Sequence, residues 1–123
     1  MSTVAILGAS SNRDKFGNKS VRAYAHRGWT VFPVNPKETE IEGHKVYKSI
    51  KDIPEHLDRV SVYLPAAIAM SVLDDLASVN PGEVYFNPGA DDPEVIKKAD
   101  ELGLNTVKAC SIVAIGLSPA QFE

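Results

Sequence analysis

Residues 3–12 read Thr-Val-Ala-Ile-Leu-Gly-Ala-Ser-Ser-Asn, an apolar run that ends at a glycine and continues into small polar residues. Because the run is short and bounded by Gly8, it predicts a buried strand. The following segment 18–27 has apolar residues at helical spacing, and Gly28 supplies the end of that helix. A strand, a polar loop and a helix in this order begin a βαβ unit.

The rest of the chain repeats this alternation. Further strands are predicted at 30–34, 60–64, 83–86 and 106–109, with one helix from Pro65 through Leu76 and another from an Asp91 or Asp92 cap to Leu102. A hairpin centred on Glu42-Gly43 and a brief helix around 49–53 are predicted between the strands at 30–34 and 60–64. We therefore expect residues 1–123 to form one α/β domain of the doubly wound class, with a mainly parallel five-stranded sheet.

Composition limits the possible partners. The 123 residues carry a net charge of −3, which leaves no large basic field for nucleic acid. The N-terminus has no signal-peptide pattern, and no apolar run approaches the length needed to span a bilayer. The single cysteine, Cys110, cannot form an internal disulfide. We expect a cytoplasmic protein that binds neither nucleic acid nor membrane.

In an open parallel sheet, ligands bind outside the carboxyl ends of the strands. The loop after the first strand runs from Gly8 to Asn18, longer than the usual 2 to 6 residues for such a connection. Its backbone N–H groups and the start of the next helix can hold a phosphate, and Gly8 permits close approach of the backbone. An ordinary polar turn is the alternative. The residues predicted to hold phosphate are Gly8, Ala9, Ser10, Ser11 and Asn12.

The residues after the second strand narrow the choice of ligand. The dinucleotide fingerprint is missing, since its later two glycine positions hold Ser10 and Arg13. An NAD site would usually have an acid after the second strand, where this chain has Asn35, Pro36 and Lys37. A phosphorylated ribose, as in coenzyme A or NADP, suits Lys37 better, although an exposed lysine is as often simply solvated.

Two other edge positions have open interpretations. Tyr63 and Pro65 can cover an adenine face, or they are a core aromatic residue and a helix start.

No catalytic set can be assembled from the chain. His26, His44 and His56 are far apart and lack ligand-spaced partners, so no metal site is predicted. Cys110 lies on the ligand-binding edge without a nearby histidine to activate it, which favours an inert thiol. We therefore do not expect an enzyme.

Several segments together resemble a known family. These are Val4 to Asn12, Val31 to Lys37, Val46-Tyr47 and Asp52 to Pro54, and the chain resembles the small stand-alone coenzyme A-binding proteins of bacteria. That family is similar in fold to the N-terminal domain of the succinyl-CoA synthetase α subunit.

The resemblance implies a role for each part of the edge. Residues 8–12 would surround the pyrophosphate, 35–37 would lie near the phosphorylated ribose, and Pro65 would border the adenine. Asn87, Pro88 and Gly89 would face the pantetheine path. The chain departs from the family at Asn87-Pro88, where relatives often have Gln-Leu, and at Ser111, where many have proline. The synthetase's phosphohistidine domain is absent from this chain, which argues against ligase activity.

The leading hypothesis is non-catalytic binding of coenzyme A or an acyl-CoA. The alternatives are a small NAD(P)-binding oxidoreductase or redox sensor, and a degenerate nucleotide fold used for protein interaction. The apolar run from Ile112 to Leu117 either covers its own sheet or packs against a second copy, and we slightly favour a homodimer.

Overall fold

The computed structural model describes residues 2–123. The strands are β1 (Thr3–Leu7), β2 (Thr30–Val34), β3 (Glu40–Ile41), β4 (His44–Lys45), β5 (Arg59–Val62), β6 (Glu83–Phe86) and β7 (Thr106–Lys108). The helices are α1 (Phe16–His26), α2 (Ala66–Val79) and α3 (Pro93–Glu101), and short 3₁₀ helices cover Ile50–Asp52, Val113–Ile115 and Pro119–Phe122.

Five strands form the main sheet in the order β2-β1-β5-β6-β7, and every pair is parallel. The strand order reverses direction beside β1, so the carboxyl ends of β1 and β5 form the topological switch point. The predicted doubly wound α/β fold with five parallel strands is confirmed.

The core lies on both faces of this sheet. β1 is buried along its whole length, as expected for a central strand of a parallel sheet. One apolar cluster includes Leu73 of α2 and Val95 of α3, and the other includes Val21 and Tyr24 of α1. The helices packed in these two clusters determine where the loops at the carboxyl edge of the sheet begin and end.

The segment between β2 and β5 contains the predicted hairpin, β3 paired with β4, whose turn residues Glu42 and Gly43 have φ of 50° and 79°. Beyond the hairpin, Tyr47 N–H donates to the Pro33 carbonyl at 2.9 Å, and Asn35 N–H donates to the Tyr47 carbonyl at 3.0 Å. These bonds pair backbone groups at the outer edge of β2 and hold the segment around Tyr47 beside the ligand edge.

Several predicted boundaries were wrong by a few residues. α1 begins at Phe16, two residues before the predicted start, and β5 and β7 end before Leu64 and Ala109. Pro65 is the residue before the first turn of α2 and not part of it. Asp92, one of the two predicted caps, accepts from Glu94 N–H at 2.9 Å.

The C-terminal run packs partly against its own chain. Ile112 is fully buried and Ile115 packs against the cluster under α1, whereas Val113 is 59% exposed. Packing within the chain thus buries part of the 112–117 run, and the homodimer stays a prediction. Among residues 2–123, none of the helices combines the length and apolar character that crossing a bilayer requires.

Candidate functional site

A groove of about 710 Å³ opens at the carboxyl ends of β1 and β5. This is the switch point at which doubly wound sheets bind their ligands. Four connecting segments form its walls. They contribute Gly8, Ala9, Ser10, Asp14, Lys15, Phe16, Gly17, Asn35, Pro36, Tyr63, Leu64, Pro65, Ile68, Pro88, Gly89 and Ala90.

A smaller apolar cavity of about 330 Å³ adjoins the groove and shares Pro36, Leu64 and Ile68 with it. Val34 and Val72 contribute further apolar wall, which makes the cavity mainly apolar, and Lys48, Ser49 and Asp75 also line it. Ile68, which lines both the groove and this cavity, is 51% exposed. The arrangement places an apolar slot beside a polar loop.

The first turn of α1 forms the polar side of the groove. Lys15, the residue before the helix, supplies no side-chain hydrogen bond to this turn, and Phe16 and Gly17 line the groove. Unsatisfied N–H groups and the helix dipole make such an end favourable for an anion. A β-carbon on Gly17 would overlap the Gly8 carbonyl, so glycine is needed for α1 to begin this close to β1.

Gly8 is required by the fold as well as by the predicted phosphate contact. Its φ is +85°, and a β-carbon there would overlap the Tyr63 carbonyl of the neighbouring chain segment. The fold alone therefore demands glycine at this position, and its role in admitting a phosphate stays a prediction. A Gly8→Val variant would test folding before it tested ligand binding.

The side chains of Ser10 and Asn12 shape the loop. Ser10 Oγ accepts from Asn12 N–H, and Asn12 Oδ1 accepts from Asp14 N–H, both at 3.0 Å. Ser11 N–H donates to the carboxylate of Glu38 at 3.0 Å. Of the predicted phosphate residues, Gly8, Ala9 and Ser10 line the groove, whereas Ser11 and Asn12 do not.

Asn35 ties the second loop to the first. Its Nδ2 donates to the Ala9 carbonyl at 2.9 Å, and its Oδ1 accepts from the N–H groups of Lys37 at 2.8 Å and Glu38 at 3.0 Å. Asn35 and Pro36 line the groove. Lys37 lies outside its lining, is exposed, and forms no ion pair with any residue in 2–123.

Tyr63 and Pro65 both lie in the groove wall, but the Tyr63 phenol faces inward. Its hydroxyl is 3.2 Å from Ser111 Oγ, and burial raises the pKa of this phenol above its ordinary value. The side chain belongs to the layer under α1. Leu64 and Ile68 supply exposed or half-buried apolar surface to the slot instead.

Asn87 is buried and fully engaged in internal hydrogen bonds. Its Nδ2 donates to Ser61 Oγ and to the Val62 carbonyl, each at 2.9 Å, and its Oδ1 accepts from Ser111 N–H at 2.8 Å. The structure therefore does not bring Asn87 to the groove, whereas Pro88 and Gly89 line it. Cys110 precedes the anchored Ser111, is partly buried, and does not line the groove.

Sequence reasoning missed three polar residues that organise the edge. Glu38 accepts from Ser11, and Glu42 Oε2 lies 3.1 Å from Asn18 Nδ2 and 3.5 Å from Arg13 Nε. Asn18 is fully buried, and its Nδ2 also donates to the Ser10 carbonyl at 2.9 Å. An asparagine at the predicted start of the helix was a usable signal for Asn18, whereas nothing in the local sequence indicates which residues the two glutamates contact.

Comparison with known proteins adds independent findings. The model of the family described as "CoA binding domain" matches residues 2–116. The chain is 36% identical over 73 residues to the acetate–CoA ligase (ADP-forming) II subunit alpha of Pyrococcus furiosus, which covers 57% of this chain and 16% of that subunit. It is 33% identical over 73 residues to the acetate–CoA ligase (ADP-forming) of Methanocaldococcus jannaschii, which covers 59% of this chain and 10% of the ligase. The chain thus spans only a small part of the length of these curated relatives.

Solved structures match the fold over most of the chain. A hypothetical protein from Pyrococcus horikoshii superposes with a TM-score of 0.83 at 31% identity, over 89% of this chain and 78% of that one. A protein from Thermus thermophilus superposes with a TM-score of 0.86 at 29% identity, over 94% of this chain and 88% of that one.

Proposed function

The chain belongs to the CoA-binding domain family, and from this premise we propose that it binds coenzyme A or an acyl-CoA in the groove without catalysing a reaction. The observation that carries the proposal is the juxtaposition of an uncapped helix start with an apolar slot. A nucleotide diphosphate has matching parts, an anionic pyrophosphate and a flat apolar base.

The pyrophosphate is assigned to the first turn of α1 and the loop before it. Phe16 and Gly17 offer backbone N–H groups there, and anions bind such helix ends through those groups and the dipole. Lys15 adds a positive charge in the groove wall. Lys37 follows the groove residue Pro36 in the chain and is assigned to the 3′-phosphate of the ribose.

The adenine is assigned to the apolar slot formed by Pro36, Leu64 and Ile68. The pantetheine arm would leave along Pro88 and Gly89, which line the opposite wall of the groove. This assignment keeps the predicted roles of Pro88 and Gly89, and it moves Pro36 from the ribose to the adenine. It replaces Tyr63 with Leu64 and Ile68 as the cover of the base, because the Tyr63 phenol is held by Ser111.

Absence of catalysis is also a proposal. Within residues 2–123, the ionisable side chains of the groove wall are Asp14, Lys15 and the inward-facing Tyr63. The activities named for the curated ligases belong to much longer proteins. Catalysis by acid–base or nucleophilic routes needs a positioned base beside the reacting group. The groove's ionisable groups lie on the assigned phosphate side, away from the assigned thiol end.

NAD is the second candidate, because Glu38 supplies an acid after β2. An NAD site uses such an acid to accept from ribose hydroxyls. Here the Glu38 carboxylate is already bonded to Ser11 N–H, and its neighbour Lys37 favours a phosphorylated ribose. Coenzyme A therefore remains the preferred ligand.

Thermal unfolding with coenzyme A, acetyl-CoA, NAD, NADP and ATP tests the choice. Ligand present at about 100 times Kd stabilises the folded state by about 2.7 kcal/mol. We expect coenzyme A to raise Tm more than NAD at equal concentration. Equal or greater stabilisation by NAD would refute the proposal.

Matched variants locate the site. Ile68→Ser removes an apolar wall of the slot, and Leu102→Ser makes a similar change at the end of α3, where the side chain is 37% exposed. Ile68→Ser should weaken coenzyme A binding, and Leu102→Ser should leave it unchanged. Equal effects in calorimetry would remove the adenine from this slot.

A further inference from the structure

Two carboxylates from the segment after β2 occupy donors of the loop that follows β1. Glu38 Oε2 accepts from Ser11 N–H at 3.0 Å and lies 3.4 Å from Asn35 Nδ2. Glu42 Oε2 accepts from Asn18 Nδ2 at 3.1 Å and lies 3.5 Å from Arg13 Nε. These donors are thus already bonded to carboxylates of the chain itself.

The backbone holds both acids in these positions. Asn35 Oδ1 accepts from Glu38 N–H at 3.0 Å, which fixes the start of the Glu38 side chain beside the loop. Glu42 has φ of +50°, a conformation that residues other than glycine seldom adopt. The hairpin turn brings the Glu42 carboxylate to Asn18 and Arg13, contacts that offset the strain of that conformation.

The two acids differ in what they bind. Glu42 bonds to side chains, one of them the buried Asn18, and so holds the hairpin against the start of α1. Glu38 bonds to a backbone N–H of the loop itself, the kind of donor that binds a phosphate oxygen. A carboxylate oxygen on that donor is chemically equivalent to a ligand oxygen, and its charge repels another anion nearby.

We infer that Glu38 is an affinity-determining residue of the phosphate loop: its carboxylate takes the Ser11 N–H in the free protein and opposes the binding of a phosphorylated ligand. This inference rests on the proposed function, since it concerns the loop assigned to the pyrophosphate. Ser11 directly follows the groove residue Ser10, so ligand binding either displaces the carboxylate from Ser11 or places a phosphate beside it. Both lower the affinity relative to a loop with a neutral acceptor.

Glu38→Gln tests the inference because glutamine keeps an acceptor oxygen for Ser11 N–H and removes the charge. Glu40→Gln is the control, since Glu40 is exposed on the adjacent hairpin strand and the same charge is removed. Calorimetric titration with coenzyme A and, separately, with inorganic pyrophosphate measures the affinity of each variant. A partly exposed unit charge interacts by up to about 1 kcal/mol, so we expect about fivefold tighter binding for Glu38→Gln. Glu40→Gln should change Kd less than twofold.

Ionic strength separates this effect from a change in loop structure. Removal of a repulsive charge matters most at low salt, so the gain of Glu38→Gln should shrink as salt rises toward about 1 M. In the free protein, nuclear magnetic resonance should show the Ser11 amide resonance shifted by Glu38→Gln and unshifted by Glu40→Gln.

The outcomes are distinct for the two proposals. Wild type that binds coenzyme A, with no gain in Glu38→Gln or an equal gain in Glu40→Gln, overturns the role of Glu38 and leaves the proposed function intact. A gain for pyrophosphate without coenzyme A binding in any variant supports the role of Glu38 and refutes the ligand. No binding of either compound by any variant overturns both.

Discussion

Replacing Asn87 with alanine separates a structural role from a ligand-binding one. The side chain is 2% exposed and makes three hydrogen bonds at 2.8 to 2.9 Å. In one of them, its Oδ1 accepts from Ser111 N–H. Each bond contributes about 1 kcal/mol net, and an unpaired buried donor costs about 1–3 kcal/mol. Asn87→Ala should therefore lower the free energy of unfolding by about 3–4 kcal/mol, a large part of the about 5–15 kcal/mol typical of a domain.

Urea unfolding monitored by circular dichroism measures this loss, and Asn105→Ala is the matched control. Asn105 is exposed and makes one bond of 3.2 Å to the Gly82 carbonyl, so its loss should cost less than about 1 kcal/mol. Hydrogen exchange at the Ser111 amide should accelerate in Asn87→Ala alone. If Asn87→Ala lost no more stability than Asn105→Ala but bound coenzyme A more weakly, the side chain would be a ligand contact and the present assignment would be wrong.

Three further predictions concern the ribose phosphate, alkaline stability and oligomeric state. Lys37→Ala should weaken coenzyme A more than 3′-dephospho-coenzyme A in calorimetry, because Lys37 is assigned to that phosphate; equal losses would place the lysine elsewhere. Burial raises the pKa of the Tyr24 and Tyr63 phenols above 10.0, so the unfolded chain loses these protons first. The contribution of these buried phenols to the free energy of unfolding should then be complete below about pH 10 and be lost above it. The loss should be less steep in Tyr63→Phe, and urea titrations that show no loss would contradict this prediction. Light scattering should find a dimer for the wild type and a monomer for Val113→Asp, since Val113 is the exposed member of the C-terminal run; a wild-type monomer rejects the dimer.

The sequence predicted the strands and the ligand edge because their signals are local. Gly8 after the first apolar run, and Pro36 and Pro65 after the second and third, mark the places where strands stop. Parallel strands then place these stops on one edge without any knowledge of side-chain contacts. This reasoning located the groove that Gly8, Pro36 and Pro65 share in the structure.

The roles of individual polar side chains could not be predicted in the same way. Asn87 follows a strand just as Asn35 does, and both positions suggested ligand contacts. Their actual partners come from distant parts of the chain: Ser111 is 24 residues from Asn87, and Ala9 is 26 residues from Asn35. Glu38 is likewise 27 residues from Ser11. Such pairings depend on how the loops pack, which hydrophobic periodicity does not encode.

The use of these side chains explains what the groove can recognise. Asn18, Asn35 and Asn87 all lie at or near the ligand edge, and their amides bond to other segments of the chain itself. The groove is left with backbone N–H groups, prolines and aliphatic side chains as its main surface. Backbone donors bind phosphate without the flexible acids and bases that bond-making steps require, because their geometry is set by the helix start. In the proposed function, recognition therefore rests on preorganised main chain, and Glu38, bonded to a backbone N–H of that loop, is the charge that we propose opposes the ligand. This distribution supports the proposal of a domain that holds a nucleotide cofactor without transforming it.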